Sequence, residues 1–183
     1  GGISDAGNNA NFIAPFVLDP NDPRRMLAGG AGLGKRDDVR TPDDPAWSAI
    51  RAPGSDLISA IAVAAGDSNA IWVAQNDGQV HRTSNGLAGT PTWSPVDDNA
   101  SSDPLPNRYP TRVLLDPDDH DRVWVSFGGF SDGNVWRTID GGTTWTDASG
   151  VGPAGLPFAP VRGLARHPCV ADWIYAGTEG RVF

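Results

Sequence analysis

The sequence predicts an all-β chain made of repeated four-stranded antiparallel sheets, and three observations carry that reading. Glycine and proline supply 23 and 16 of the 183 residues, the density of turn formers that many short strands require. Of the 22 acidic residues only Glu179 is a glutamate. Aspartate belongs to turns and caps, whereas glutamate favours helix interiors. Third, the chain resembles itself. Taking Leu27, Val73, Val125 and Tyr175 as equivalent positions, the steps between them are 46, 52 and 50 residues, a period expected of stacked blades.

Each repeat opens as strand, Asp/Pro turn, strand. The first runs through Phe16-Val17-Leu18-Asp19-Pro20 to Met26-Leu27-Ala28-Gly29, and the second through Ala62-Val63-Ala64-Ala65-Gly66-Asp67 to Trp72-Val73-Ala74-Gln75. The third passes from Val113-Leu114-Leu115-Asp116-Pro117 to Trp124-Val125-Ser126-Phe127, and the fourth from Leu164-Ala165-Arg166-His167-Pro168 to Ile174-Tyr175-Ala176-Gly177.

The second half of the third repeat is Val135-Trp136-Arg137-Thr138-Ile139-Asp140-Gly141-Gly142-Thr143-Thr144-Trp145-Thr146. It reads as strand, tight turn, strand: glycines open φ > 0, and the aspartate accepts turn amides. Repeat two offers Thr83-Ser84-Asn85-Gly86 with Trp93 three residues late, and repeat one offers Asp38 with Trp47 four residues late. The expectation is one intact turn motif and two degenerate ones. Repeat four ends at Gly180-Arg181-Val182-Phe183, within its third strand.

The Thr-x-Asp-x-Gly-x-Thr-Trp spacing of Thr138, Asp140, Gly142, Thr144 and Trp145 resembles the Asp-box of BNR-type β-propellers, a group that includes sialidases, xyloglucan-active hydrolases and the sortilin ectodomain. The resemblance implies a β-propeller of four-stranded blades, placed at about 12–54, 57–98, 109–150 and 158–183. These are about three and a half blades, too few to close a ring. The whole of 1–183 is therefore read as a partial propeller whose partners are the remaining blades of the same protein or another copy. The chain begins on Gly1-Gly2 without Met, as expected of a processed or excised piece. The resemblance implies a secreted or cell-surface parent. It also gives Thr138, Asp140, Gly142 and Trp145 a structural role, on the rim opposite the ligand face.

Several function classes are excluded or left open by residue type. A net charge of −8 without a basic patch argues against nucleic acid. No apolar run approaches the ~20 residues of a membrane-spanning helix, so no membrane insertion is expected. Cys169 is alone, which forbids an intrachain disulfide, and without a His–Asn or His–Asp pattern it reads as a small core residue. Asp116-Pro117-Asp118-Asp119-His120-Asp121 is the densest acid cluster. It lacks the Asp-x-Asp-x-Asp-Gly spacing of a calcium loop, so a turn is expected, with Ca²⁺ as the alternative and no other cofactor. His81, His120 and His167 have no metal-ligand spacing.

The resemblance places ligands on the face formed by the inter-blade connections (99–110, 149–160) and the loops between second and third strands (75–79, 128–133, 178–181). Arg108, Tyr109, Arg112 and Arg162 fall at the starts of inner strands on that face. Sialidases hold a carboxylate there with three arginines, for which bidentate guanidinium geometry is suited. No Arg-Ile-Pro signature and no Tyr–Glu nucleophile pair accompany them. Xyloglucan-active relatives use two aspartates as acid and base; Asp77 and Asp132 would sit in loops of adjacent blades, yet each lies in an Asp-Gly turn that explains it. The sequence therefore predicts a module that binds protein or glycan through its loop face, with no assignable catalytic set. A fragment of an Asp-box glycoside hydrolase and a structural subunit of an extracellular assembly are the alternatives.

Overall fold

The structure is a computed structural model that describes residues 9–41, 47–97 and 105–183. The opening glycines, the 42–46 insert and the 98–104 part of a connection lie outside the described residues. The first sheet contains β1 (Phe16–Asp19), β2 (Asp22–Gly29), β3 (Leu33–Arg36) and β4 (Ser48–Arg51). The second contains β5 (Ile58–Ala64), β6 (Asp67–Gln75), β7 (Val80–Thr83) and β8 (Ser94–Pro95). The third contains β9 (Pro110–Leu115), β10 (Val123–Phe127), β11 (Val135–Thr138) and β12 (Thr146–Asp147), and the fourth β13 (Val161–Arg166) and β14 (Ile174–Thr178). Strands pair antiparallel in chain order in every sheet. Val182 bridges back to Gly177, beginning a third strand on the fourth sheet. One 3-10 turn, Gly152–Ala154, interrupts the strands. No helix among the described residues is long and apolar enough to cross a membrane.

The registers correct the repeat by one residue: Leu27 pairs with Lys35 as Trp72 pairs with Arg82 and Trp124 with Arg137. Leu27 thus lies toward the next blade, whereas Val73 and Val125 lie toward the preceding one. Leu27 faces Val17 and Lys35, Val73 faces Ile61 and His81, and Val125 faces Val113 and Trp136. The sheets stand side by side with first strands together: β1 and β2 lie against β5, β5 against β9, and β9 against β13. Successive side chains of a strand point to opposite faces, so each blade contributes to two cores. In β6, Ile71 and Val73 join Leu27, Leu33, Ile50, Ile58 and Ile61 between the first and second blades. Trp72 and Ala74 join Val113, Val123, Val125 and Phe127 between the second and third. In β10, Trp124 turns the other way, onto Val135, Val161, Leu164 and Ala176. With both faces covered, β6 and β10 read as continuous apolar runs rather than alternating ones. Each such side chain contributes about 1.5–3 kcal/mol.

The outer hairpin of the third blade is held from within. Thr138 Oγ1 donates to Asp140 Oδ1 at 2.8 Å and accepts the amides of Asp140 and Gly142 at 3.3 and 2.8 Å. Asp140 then accepts the Thr144 amide at 2.8 Å and the Thr144 hydroxyl at 2.7 Å. Gly142 has φ +89°, and a Cβ there would stand 2.6 Å from Val96 Cβ, so only glycine lets the turn touch the blade behind it. The second blade corrects the expectation of a degenerate turn. Asn85 Oδ1 accepts the Thr83 hydroxyl at 2.8 Å and the Thr92 amide at 2.9 Å, and Thr83 Oγ1 accepts the Asn85 amide at 3.2 Å. Gly86 and Gly141 both donate their amides to a carbonyl at the start of their own blade's second strand region, Asn69 and Asp121 respectively. The extra residues loop out and the same network closes behind them. In the first blade Asp38 accepts the Arg40 amide and the Thr41 hydroxyl.

In the second and third blades the tryptophan after this turn reaches backwards one blade. Trp145 Nε1 donates to the Val96 carbonyl at 2.7 Å, and Trp93 Nε1 donates to the Ile50 carbonyl at 2.9 Å. Trp145 also meets Trp72 edge-on, with ring centroids 6.3 Å apart. On the same rim the turns between first and second strands are linked: Asn21 donates to the Ala64 carbonyl, His120 Nε2 meets the Ala65 carbonyl, and Arg166 pairs with Asp118 at 2.8 Å. Cys169 is a correction. It is exposed, not buried, because His167 Nδ1 accepts the amides of Cys169 and Val170 and folds 167–170 into an outer turn.

Two positions make the fold sensitive to acid. Partial burial pushes the Asp140 carboxyl up, but hydrogen bonds from the Thr144 hydroxyl and amide and from Thr138 outweigh it and hold the group below its ordinary value. Its stabilisation is therefore complete above the unfolded pKa near 3.8 and is lost as pH falls through the lower folded value. Asp140→Ala should cost about 1 kcal/mol at pH 7 in chemical denaturation. Asp140→Asn, the residue already at work as Asn85, should keep neutral-pH stability and remove this acid-dependent component.

His81 faces the first blade where the third blade has Trp136. Burial, reinforced by the Arg51 charge and only partly opposed by Asp77, lowers its pKa from 6.5 to about 4. The imidazole is thus neutral in the fold while the unfolded chain takes up a proton below about pH 6.5. Stability should fall as pH drops from 6.5 towards 4, and His81→Gln should flatten that slope in melts recorded across this range.

Candidate functional site

Topology gathers the inter-blade connections and the β2–β3, β6–β7 and β10–β11 loops on one face of the arc, with the Thr138–Trp145 turn and its counterparts on the other. The loop face is built from hydrogen bonds that cross between blades. Asn11 donates to the Ile58 carbonyl at 2.9 Å and exchanges amide hydrogen bonds with Asn76 at 3.0 and 2.9 Å. Gln75 is wholly buried; its Nε2 donates to the Asp56 carbonyl and its Oε1 accepts from Arg51. Gly78, at φ +102°, lies under the 106–108 segment, where a Cβ would stand 2.7 Å from the Pro106 carbonyl oxygen.

Of the four residues that the sequence singled out, Arg108 is fixed by the loop itself. Its Nε donates to the Gly128 carbonyl at 3.0 Å, and its Nη2 to the Asp132 and Gly133 carbonyls and Asn134 Oδ1 at 2.7, 2.9 and 2.9 Å. The guanidinium carbon is 5.8 Å from the Phe127 ring centroid. Asn134 completes the clamp by donating to Ser131 and, across to the next connection, Ala159. Arg162 is exposed and pairs with Glu179 at 2.9 Å. Tyr109 and Arg112 are exposed. No ion pair or hydrogen bond joins the four side chains among the described residues, so Arg108 positions the 128–134 loop while the others stand separately.

On this face Asp77 is held by its own turn and by the preceding connection. Asp77 accepts the Ser55 hydroxyl at 2.6 Å and the Gln79 amide at 3.2 Å. On the opposite rim, Asp116 accepts the Asp118 amide at 2.9 Å and lies 3.4 and 3.8 Å from Arg166 and Arg122. The acid cluster at 116–121 is thus arranged around guanidinium groups. No grouping of three or more His, Cys, Asp or Glu among the described residues could hold a metal ion.

Beside Tyr109, which the sequence singled out, the structure adds exposed aromatic side chains on the loop face that the sequence reading passed over. Phe130 stands 74% exposed at the tip of the loop that Arg108 clamps, and Phe158 stands 68% exposed in the adjoining connection. A narrow crevice lined by 131–134, Leu156, Pro157 and Phe158 joins their two loops. Tyr109 lies on the other side, its ring edge 3.8 Å from the Cβ direction of Gly128. Phe12, Ile13 and Val151 are exposed on the same face. The available signal was the aromatic residues isolated in polar loops, outside any strand period that would bury them.

No protein-family model matches the chain, and no curated protein matches it. Solved structures do. An ancestral GH74 enzyme superposes with a TM-score of 0.61 at 20% identity, over 92% of this chain and 22% of that one. YCF48 from Cyanidioschyzon merolae gives 0.62 at 21% identity over 91% of this chain and 49% of its own. The GH74 enzyme of Niastella koreensis gives 0.64 at 14% identity, over 89% and 25%. The chain spans from about a fifth to about half of these structures. At such identities the likeness is one of fold: the chain is an all-β partial propeller, with three four-stranded antiparallel sheets and a fourth of two strands.

Removing the Arg108 clamp should release the 128–134 loop without opening a core. Arg108→Ala is expected to cost about 2 kcal/mol, since charged hydrogen bonds are the stronger kind. Amide exchange at 129–134 should accelerate while that of β9 and β10 is unchanged.

Proposed function

We propose that this chain is a binding module of an Asp-box propeller, and that it takes a protein partner through its loop face. The observation that supports it is the set of exposed apolar side chains carried by a loop framework that hydrogen bonds hold in place. The loop face presents Tyr109, Phe130, Phe158, Phe12, Ile13 and Val151 to solvent around the Arg108 clamp, whereas on the turn rim Leu18, Ile139 and Trp173 stand among ion pairs and Asp or Asn turns. Exposed apolar groups held on a rigid polar framework are the composition of an interface core. Ile13 and Val151 offer no ring for a sugar to stack on, which favours protein over glycan. In this reading Arg108 positions the loop, Tyr109 joins the apolar set, and Arg112 and Arg162 form the polar border. The Asp-box assignment rests on the hydrogen-bond network at Thr138–Trp145 and its repetition at Thr83–Trp93.

A second reading, a piece of a glycoside hydrolase, is favoured by the GH74 likeness together with Asp77 and Asp132 in loops of adjacent blades. It requires Asp77 to give up its contacts with Ser55 and Gln79.

Screening the chain against a displayed-peptide library, a glycan array and xyloglucan separates these readings. Peptide ligands should lose at least about tenfold in affinity with Phe130→Ser or Phe158→Ser, at an unchanged melting temperature, and be indifferent to Val170→Ser on the far rim. Ligands untouched by the two phenylalanine changes would overturn the proposal. Xyloglucan hydrolysis abolished by Asp77→Asn would replace it with the second reading.

A further inference from the structure

The repeat lets the seam between the first and second blades be compared with that between the second and third, position by position. Ile50 and Val96 correspond, since each gives its carbonyl to the indole of the blade that follows. Arg51 therefore stands where the second blade has Asp97. His81 pairs with Val73 as Trp136 pairs with Val125, so His81 stands where the third blade has Trp136. Between the second and third blades, Trp136 packs on the core and donates its N–H to the Gly133 carbonyl. Between the first and second blades, the corresponding seam is a cleft of about 560 Å³. It is lined by Arg51 and His81 together with Ile50, Ala52, Pro91 and Trp93. Both sheets that border it have all four strands.

The two exchanged positions carry polar groups without partners. Arg51 Nη2 donates to Gln75 Oε1 at 2.9 Å, and the wholly buried Gln75 is itself fixed on the Asp56 carbonyl. The guanidinium carbon lies 6.0 Å from the centre of the Trp93 ring. Arg51 Nη1 and His81 Nδ1, however, are buried with no hydrogen-bond partner. Such groups are rare in folded chains, and each calls for a physical reason. Burial lowers the pKa of both residues, that of His81 to about 4, and Asp77 is the acid that opposes the shift in each case. Asp77 is engaged by Ser55 and Gln79. The seam thus holds a cation short of a counter-charge.

We propose that this cleft binds a small carboxylic acid with an apolar body, its carboxylate set against Arg51 and His81 and its body along Trp93 and Ile50. A guanidinium matches a carboxylate in both charge and geometry. The apolar walls disfavour an inorganic anion, whose lost hydration they cannot replace. The volume falls within the ~300–1,000 Å³ usual for small-molecule sites. The site lies between β4 and the β7–β8 pair, apart from the Phe130 and Phe158 loops, and so does not depend on what the loop face binds.

The test titrates the 183-residue chain at pH 7 with benzoate, with its neutral isostere benzamide, and with inorganic phosphate, followed by NMR and calorimetry. Benzoate should shift the Trp93 indole and His81 ring signals saturably. Benzamide and phosphate should each bind at least about tenfold more weakly. Ala52→Glu, an exposed position on the cleft wall, should weaken benzoate at least about tenfold at an unchanged melting temperature, as should Arg51→Met. Phe130→Ser should leave benzoate affinity as it was. The proposal fails if benzoate moves neither signal, if benzamide or phosphate binds as tightly as benzoate, or if Ala52→Glu leaves the affinity unchanged.

Discussion

The structure depends on one contact repeated: an indole that leaves its own blade, lies on the face of the blade before it, and gives its N–H to a carbonyl of that blade's outermost strand. The inner strands would pack face to face on apolar burial alone. The outer strands, two residues long in β8 and β12, have too little surface to do so. The tryptophan supplies both missing terms, a large apolar area and a directed bond that satisfies an otherwise buried donor. The turn network of Thr138 and Asp140 serves this contact by fixing where the strand restarts, and Gly142 serves it by allowing the turn to approach Val96.

Hydrophobic interleaving outweighs the charge pairs that decorate the turn rim. Arg166 with Asp118 and Arg122 with Asp172 involve aspartates 77% and 78% exposed, the class of pair worth about 0–1 kcal/mol. Their value lies in orientation: they connect the turn of the fourth blade to that of the third. The chain is stabilised largely between neighbours, one interface at a time.

The blade repeat was legible because strand periodicity and turn chemistry are local; its alignment slipped by one residue, since Leu27 corresponds to Trp72 and Trp124 rather than to Val73 and Val125. The Thr138–Trp145 turn was legible for the same reason. What escaped depends on contacts between distant segments. Trp93 looked displaced because linear spacing counts looped-out residues, whereas the hydrogen bonds between Asn85 and Thr92 do not. Cys169 looked like a core residue because its exposure is decided by His167 accepting amides from the turn. Arg108 looked available to a ligand because its acceptors are carbonyls 20 to 26 residues away, which no motif announces. Phe130 and Phe158 were passed over because a single aromatic residue in a polar loop has no periodicity to read.

The looped-out residues of the second blade carry a practical consequence. Thr83, Asn85 and Asn69 pin one end of the segment, through the Leu87 amide in the last case, and Thr92 the other, while Gly89 between them faces open space. Lengthening a surface loop whose ends are already held together adds only about 0.6 kcal/mol per doubling. The stretch 89–90 is thus a natural splice point, where an epitope, a tag or a reporter peptide can be carried while the blade closes around it as before.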